Sequence, residues 1–254
     1  MTKISQITNL IEEFAPLSLA SSWDNSGWQI YLGDKDINKV MIALTPTVDI
    51  ISSAIEQKIE LLIAHHPLMF NKINKLNINN YENLAVINAI KGNLQIYSAH
   101  TNLDSAENGI ADKLAQMLEL KNLSPIEKIT NNTGLGRIGE LEKPVSLDSL
   151  IQKIKQILNI STLKVINPSN KSSVRTIGLC PGSGGDFISS LKNVDLYITA
   201  DIKYHTALEV NDLVVIDAGH LETERIILPV LKNLIEKTGI SAIIAEENAP
   251  WQLK

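Results

Sequence analysis

Short apolar runs alternate with segments of helical length along most of this chain, and this alternation restricts the fold more than any other feature. Apolar runs such as residues 40–44 and 61–64 alternate with stretches predicted to be helical, such as 49–57, 81–91, 147–158, 186–191 and 223–237. Runs this short without polar alternation are typical of strands buried on both faces, and the helical stretches supply the crossovers that parallel strands need. The pattern therefore predicts an α/β fold.

Two polar segments interrupt the alternation and suggest how the chain is organised. Residues 124–134 and 168–173 are rich in Asn, Ser, Thr and Pro, as expected for loops. We expect two α/β lobes with mixed or mostly parallel sheets. The first lobe is predicted over residues 1–125, completed by residues 240–254, and the second over residues 126–239.

The composition excludes several classes of function. The net charge of -5 provides no basic surplus, so nucleic-acid binding is not indicated. No segment approaches the roughly 18 to 20 apolar residues of a membrane span, and the first residues lack a secretory pattern, so we expect a cytoplasmic protein. Cys180 is the only cysteine, which leaves nitrogen and oxygen donors for any bound metal.

Histidines follow three of the predicted strands. His65-His66, His100 and His220 each lie within three residues of the end of an apolar run. In open α/β sheets, ligands collect outside the carboxyl ends of the strands. We therefore expect these imidazoles to line one metal-binding cleft between the two lobes.

The residues around these histidines favour two cations rather than one. Pro67 breaks the strand, so the adjacent imidazoles of His65 and His66 diverge. His220 is predicted to begin a helix, and Glu224 lies four residues later on the same face, where a carboxylate can bridge cations about 3.5 to 4 Å apart. A lone histidine at a strand end is more often structural, but three such signatures together favour a metal site of Zn, Fe, Mn, Ni or Co.

A set of short motifs lies in one order along nearly the whole chain: Trp23-Asp24-Asn25-Ser26-Gly27, Ala64-His65-His66-Pro67-Leu68, Ala99-His100-Thr101-Asn102-Leu103-Asp104, Gly136-Arg137-Ile138-Gly139, Pro181-Gly182-Ser183-Gly184, and Gly219-His220 with Thr223-Glu224. Together they resemble the Nif-three-like dinuclear metal centre family, many of whose members are named GTP cyclohydrolase 1 type 2 homologues. The resemblance implies two α/β lobes, a toroidal homohexamer and two divalent metal ions per chain. On the matching positions it implies these metal ligands: His65, His66, Asp104, His220 and Glu224, with His100 in or beside the coordination shell.

The resemblance also implies a reaction. Two cations would activate a water and hold an electrophile next to it, and the implied substrate is GTP, whose guanine imidazole ring would be opened by attack at C8. Glu222 and His205 would then be the proton carriers. Two alternatives stay open, a two-metal phosphoesterase acting on nucleotides and a non-catalytic metal-binding hexameric scaffold. The chain departs from the family at Thr45, where Asp is frequent, and at Ala200, where Gly is frequent, and neither position is a matched ligand.

Two glycine-rich segments carry weaker signals. Residues 134–139 fit the pattern G-x-G-x-x-G, but the flanking residues do not predict the preceding strand and following helix of a dinucleotide site. Residues 181–185 lack the lysine of a P-loop and predict either a tight turn or an anion-holding nest. Cys180 is expected to be a buried small hydrophobe. Trp23 either packs near the first helix or, together with Asp24, contacts a ligand at the mouth of the cleft.

Overall fold

The computed structural model describes residues 2–251. The chain forms two compact units, one running to Leu103 and resuming at Leu228, the other spanning Asp104–Ile227. The second unit is thus inserted into the sequence of the first. Within residues 2–251, every helix is too short or too polar to cross a membrane.

The helices of the described residues have the following bounds: α1 (Ile4–Phe14), α2 (Val48–Glu56), α3 (Tyr81–Lys91), α4 (Thr101–Ser105), α5 (Ile110–Met117), α6 (Leu147–Leu158), α7 (Tyr204–Leu208), α8 (His220–Glu224) and α9 (Leu228–Glu236). The strands have the following bounds: β1 (Thr2–Lys3), β2 (Gly27–Ile30), β3 (Asp36–Ile37), β4 (Lys39–Ala43), β5 (Leu61–Ala64), β6 (Gln95–Ser98), β7 (Lys121–Ser124), β8 (Glu127–Lys128), β9 (Gly134–Leu135), β10 (Arg137–Ser146), β11 (Lys164–Ile166), β12 (Ser173–Leu179), β13 (Leu196–Thr199), β14 (Val214–Asp217) and β15 (Ser241–Ile244). Short 3-10 segments lie at Leu17–Leu19, Gly185–Ser190 and Arg225–Ile227.

The first unit contains a five-stranded sheet in the order β15-β4-β5-β6-β2. Four of these strands run parallel, and β2 pairs with β6 in the antiparallel direction at one edge. Helix α3 begins at its predicted residue and α2 one residue before it, and the side chains of Asn80 and Thr47 accept hydrogen bonds from the first helical turn, as good N-caps do. The apolar runs of β4 and β5 are buried.

The second unit contains a six-stranded sheet in the order β11-β14-β13-β12-β10-β7. Strands β12, β13 and β14 are parallel, whereas β7, β10 and β11 pair antiparallel with their neighbours. Helix α6 is capped by Ser146 and ends at Asn159, whose φ of 54° lies in the left-handed region that asparagine tolerates. The predicted α/β fold with mixed sheets is confirmed.

Parts of the predicted secondary structure are wrong. The single helix predicted over residues 223–237 is two helices, α8 and α9, joined by a 3-10 turn. Pro229 lies at the second position of α9, where its missing N–H is tolerated because first-turn amides have no helical partner. In place of the α-helix predicted over residues 186–191, the structure has a 3-10 segment at Gly185–Ser190.

A buried arginine organises the start of β10. Arg137 is 2% exposed, and its guanidinium donates to both carboxylate oxygens of Asp112, at 2.5 and 3.0 Å. It also donates to the backbone carbonyls of Gly134 and Gly136, at 2.6 and 2.8 Å, and of Ala106, at 3.0 Å. The G-x-G-x-x-G segment is therefore a turn between two strands around an arginine clamp, without the helix that a dinucleotide site requires.

The candidate metal ligands follow directly after the carboxyl ends of strands in both sheets. Strands β5 and β6 are parallel neighbours with Ala64 opposite Ser98, so the segments that carry His65 and His100 leave the sheet side by side. In the second unit, β13 and β14 end together with Thr199 opposite Asp217. His220 begins α8 three residues later, as the sequence predicts.

Candidate metal centre

Three imidazoles cluster in the first unit. The rings of His65, His66 and His100 have centroid separations of 4.9, 5.2 and 5.7 Å. One ligand atom from each of the three lies within 4.8 Å of the others. His65 is buried and the other two are half-buried, so the cluster is shielded on one side and reachable on the other.

Each ring of this cluster is hydrogen-bonded through the same nitrogen. The Nδ1 contacts are as follows: His65 with the carbonyl of Ala99 at 2.8 Å, His66 with the hydroxyl of Thr45 at 2.9 Å, and His100 with the carboxylate of Asp24 at 2.7 Å. When Nδ1 carries the proton, Nε2 carries the lone pair, and this is the usual arrangement of histidines that bind metal. The three rings are therefore oriented as ligands would be.

Asp24, the partner of His100, accepts several further hydrogen bonds. Its side chain is fully buried and accepts hydrogen bonds from the hydroxyls of Ser26 and Thr101, both at 2.6 Å. Burial alone would raise the pKa of this carboxyl, but the hydrogen bonds from His100, Ser26 and Thr101 hold the pKa well below its usual range. Asp24 thus stays ionised and fixes the orientation of His100.

A second group of potential metal ligands lies in the second unit. Nε2 of His220 is 3.1 Å from the carboxylate of Glu224, one helical turn away on α8. Nδ1 of His220 contacts the carboxylate of Asp201 at 2.6 Å. The hydrogen bond with Glu224, opposed by burial and aided by Asp201, raises the pKa of His220 to about 9. His220 therefore binds a proton readily next to the carboxylate of Glu224. A divalent cation competes with protons for imidazole and carboxylate ligands of this kind.

A glycine permits the close approach of the backbone to this pair. A Cβ on Gly182 would collide with the carboxylate of Glu224 and would lie 3.4 Å from Nε2 of His220. The φ of Gly182 is +67°, a conformation that residues with a side chain rarely adopt. The amides of Gly182 and Gly184 donate to the hydroxyls of Thr223 and Thr199, so this segment is a turn packed against the donors.

The other residues singled out in the sequence lie around these sets. Asp104 is half-buried on α4, and its charge raises the pKa of Cys180, second to burial. Glu222 is half-buried on α8, with its carboxylate against Gly219. His205 is exposed on α7, with its ring 5.4 Å from that of Tyr204. Cys180 is buried, as expected.

Three partners of the histidines were not recognised as such in the sequence. The sequence indicates Thr45 only as a departure from the family and Asp24 only as a candidate ligand contact, and it assigns no role to Asp201. These contacts join positions 21, 76 and 19 residues apart in sequence. A short carboxylate or hydroxyl residue next to a strand end is the only local signal, and such residues are common in loops.

Comparison with known proteins identifies close relatives. The model of the family Duf34/NIF3 (NGG1p interacting factor 3) matches residues 2–250. A protein of Clostridium acetobutylicum named GTP cyclohydrolase 1 type 2 homolog is 33% identical over 266 residues, which cover 99% of both chains. A hypothetical protein of Staphylococcus aureus superposes with a TM-score of 0.88 at 27% identity, covering 99% of both chains.

A further solved structure supports the fold alone. The Bacillus cereus protein related to NIF3 superposes with a TM-score of 0.90 at 20% identity, covering 100% of this chain and 99% of the other. Agreement over whole chains at such low identity shows that this fold recurs in distant sequences.

Proposed function

Because the chain belongs to the Duf34/NIF3 family, we propose that it binds two divalent metal ions and acts as a metal-dependent hydrolase on a nucleotide. The proposed ligands are as follows: His65, His66, His100, Asp104, His220 and Glu224. The proposed reaction is the opening of the guanine imidazole ring of GTP, which is the activity that the names of several relatives suggest. We place this activity in the cytoplasm, in a homohexamer.

The observation that carries the proposal is the shared orientation of four imidazoles. His65, His66, His100 and His220 each engage Nδ1 with an oxygen 2.6 to 2.9 Å away. Four histidines in a chain with five would not share this arrangement for packing alone, since packing does not select a ring nitrogen. Oxygen partners on Nδ1 orient the ring and raise its basicity at Nε2.

Residues of the chain are proposed to orient the metal ligands and to transfer protons. When bound, the metal ions would supply a water of lowered pKa, near 7 instead of about 15.7, and polarise the atom under attack. Asp24 and Asp201 hold the imidazoles in place. Glu222 and His205, on α8 and α7, are proposed to move protons to and from the opening ring.

The metal content of the purified protein tests the first half of the proposal. We expect about two divalent ions per chain by elemental analysis after anaerobic purification, and loss of at least one in Glu224→Ala. Glu209→Ala, which removes an exposed glutamate of the same unit, serves as the matched control and should keep the full content. Full occupancy in Glu224→Ala would remove Glu224 from the ligand set.

Product analysis tests the second half. Metal-loaded protein incubated with GTP should release formate and lose the absorbance of guanine, whereas release of phosphate would indicate a phosphoesterase. Glu222→Gln and His205→Ala should keep their metal and lose turnover. Bound metal with turnover of neither GTP nor simple phosphoesters would favour a non-catalytic scaffold, and light scattering tests for six copies of the 27.9 kDa chain.

A further inference from the structure

Two exposed aromatic rings lie directly beside the histidine cluster of the first unit. Trp23 is 62% exposed and Phe70 is 54% exposed. Their ring centroids are 5.9 Å apart, and they lie 6.1 and 6.3 Å from that of His100. Both rings stand nearly perpendicular to His100, at 78° and 76°, so they extend the cluster outward as an aromatic wall.

Hydrogen bonds hold the backbone that carries this wall. Trp23 precedes Asp24, whose carboxylate is fully buried. The side-chain amide of Asn25 donates to the backbone carbonyl of Met69 at 2.7 Å, and the backbone N–H of Met69 donates to the side-chain oxygen of Gln29 at 3.1 Å. The segment before Phe70 is thereby tied to the segment after Trp23. The segments next to both rings are thus held in place, and the two large apolar side chains stay exposed, although burying each would stabilise the fold.

We propose that Trp23 and Phe70 bind the planar heteroaromatic ring of the substrate and hold it against the histidine cluster. The proposal deepens the proposed function, on which it rests, by assigning the residues that recognise a purine-like base. Aromatic side chains stack on bases whatever their hydrogen-bonding pattern, because every base presents a π-face. A base stacked on either ring would have its centroid about 4.5 to 7 Å from that ring, and the two rings themselves lie 6.1 and 6.3 Å from His100.

The geometry also separates two parts of the substrate. The wall offers apolar faces, so it contributes to the affinity for a ring and not to the affinity for a phosphate chain. GTP and inorganic tripolyphosphate share the phosphate chain and differ in the nucleoside. Loss of the wall should therefore weaken the binding of the first compound only.

Binding of these two probes to metal-loaded protein, measured by calorimetry without turnover, tests the proposal. Trp23→Ala and Phe70→Ala should each weaken GTP binding by about 5- to 150-fold, the range found for single stacking contacts, and leave tripolyphosphate binding unchanged. Trp23→Phe should restore most of the affinity. Trp251→Ala is the matched control, because Trp251 is exposed to a similar degree, 57%, and should bind GTP as the unaltered protein does.

The remaining outcomes overturn the proposal. Unchanged GTP affinity in both alanine variants, or an equal loss for GTP and tripolyphosphate, would show that the wall does not bind a ring. A change of mass in solution with unchanged GTP affinity would assign the two rings to contacts between copies of the chain. Failure of metal-loaded protein to bind either GTP or guanosine would also refute it. A protein without metal would instead count against the proposed function, and elemental analysis of the same samples separates the two failures.

Discussion

Replacing Arg137 by methionine should be among the most destabilising single changes in the second unit. Methionine keeps the unbranched apolar stem but leaves Asp112, whose side chain is 10% exposed, without the guanidinium. Of the described hydrogen bonds to this carboxylate, the one from the backbone N–H of Asn108, at 2.7 Å, does not involve Arg137. Breaking a buried ion pair by removing one partner costs about 3–5 kcal/mol because a charge stays buried without compensation.

Three backbone carbonyls that accept hydrogen bonds from Arg137 add to the cost of the substitution. Arg137 donates to Gly134, Gly136 and Ala106 as well, and each buried carbonyl left without a donor costs about 1–3 kcal/mol. Water entering the vacated space would satisfy part of this demand, so we expect a loss of about 4 kcal/mol in the free energy of unfolding.

Urea-induced unfolding of metal-free protein, followed by far-UV circular dichroism, measures this loss. Arg175→Met is the matched control, since Arg175 pairs with Glu140 at 3.0 Å on the surface and both side chains are largely exposed, at 51% and 40%. We expect it to cost less than about 1 kcal/mol. Combining Arg137→Met with Asp112→Asn should cost less than the sum of the single changes by about 1–3 kcal/mol.

Two results would refute this reasoning. One is a cost for Arg137→Met no larger than that for Arg175→Met, which would mean that water compensates the buried carboxylate. The other is strict additivity in the double variant, which would mean that Arg137 and Asp112 contribute independently.

Two further substitutions and one labelling experiment test other parts of the structure. Thr45→Val removes the hydroxyl next to Nδ1 of His66 and should weaken metal binding about tenfold, as loss of such an orienting contact commonly does; competition with a chromogenic chelator measures it, and unchanged affinity would show that this contact does not orient the ring. Burial raises the pKa of the Cys180 thiol to about 12, so iodoacetamide at pH 8 should label Cys180 only after unfolding, and rapid labelling of native protein would contradict this. Burial would raise the pKa of Asp195, but backbone N–H groups of Thr176 and Arg175, with Lys171, lower it. Because the folded pKa is depressed, the stability that Asp195 contributes is present above the unfolded value of about 3.9 and is lost as the pH falls through the folded value. Asp195→Asn should therefore lower the thermal midpoint at pH 7 more than at pH 3, and an equal loss at both would argue against an ionic contribution.

Several helices and strands could be predicted from the apolar periodicity of their own residues. Helices Tyr81–Lys91 and Leu147–Leu158 were predicted with the bounds that the structure has, because each has an N-capping residue and an apolar face. Strand Leu61–Ala64 was likewise predicted with its observed bounds, since four buried aliphatic residues leave little ambiguity. The helix predicted over residues 223–237 is wrong because apolar periodicity continues through a 3-10 turn, and side-chain pattern does not distinguish the two helix types there.

In the candidate site, too, local features could be predicted from the sequence and tertiary contacts could not. Histidines at strand ends are visible in the sequence, because the strand and its end are local signals. The contacts of His100 with Asp24 and of His220 with Asp201 are not, since each depends on how strands and loops distant in sequence are brought together. Two short strands at sheet edges were not predicted. Gly27–Ile30 is mostly buried, but the polar Gln29 interrupts its apolar residues, whereas Lys121–Ser124 is largely exposed and has little apolar signal.

The insertion of one unit within the other imposes an order on synthesis. Strand β15 covers the outer edge of β4, yet it is made about two hundred residues after it. Until Ser241–Ile244 leaves the ribosome, the nascent chain carries β4 with one row of backbone groups unpaired, the kind of edge that recruits strands from other chains. The inserted unit has its complete sequence earlier and can fold first. Until β15 pairs with β4, this exposed edge of the first unit is therefore a place where a chaperone would have to prevent association.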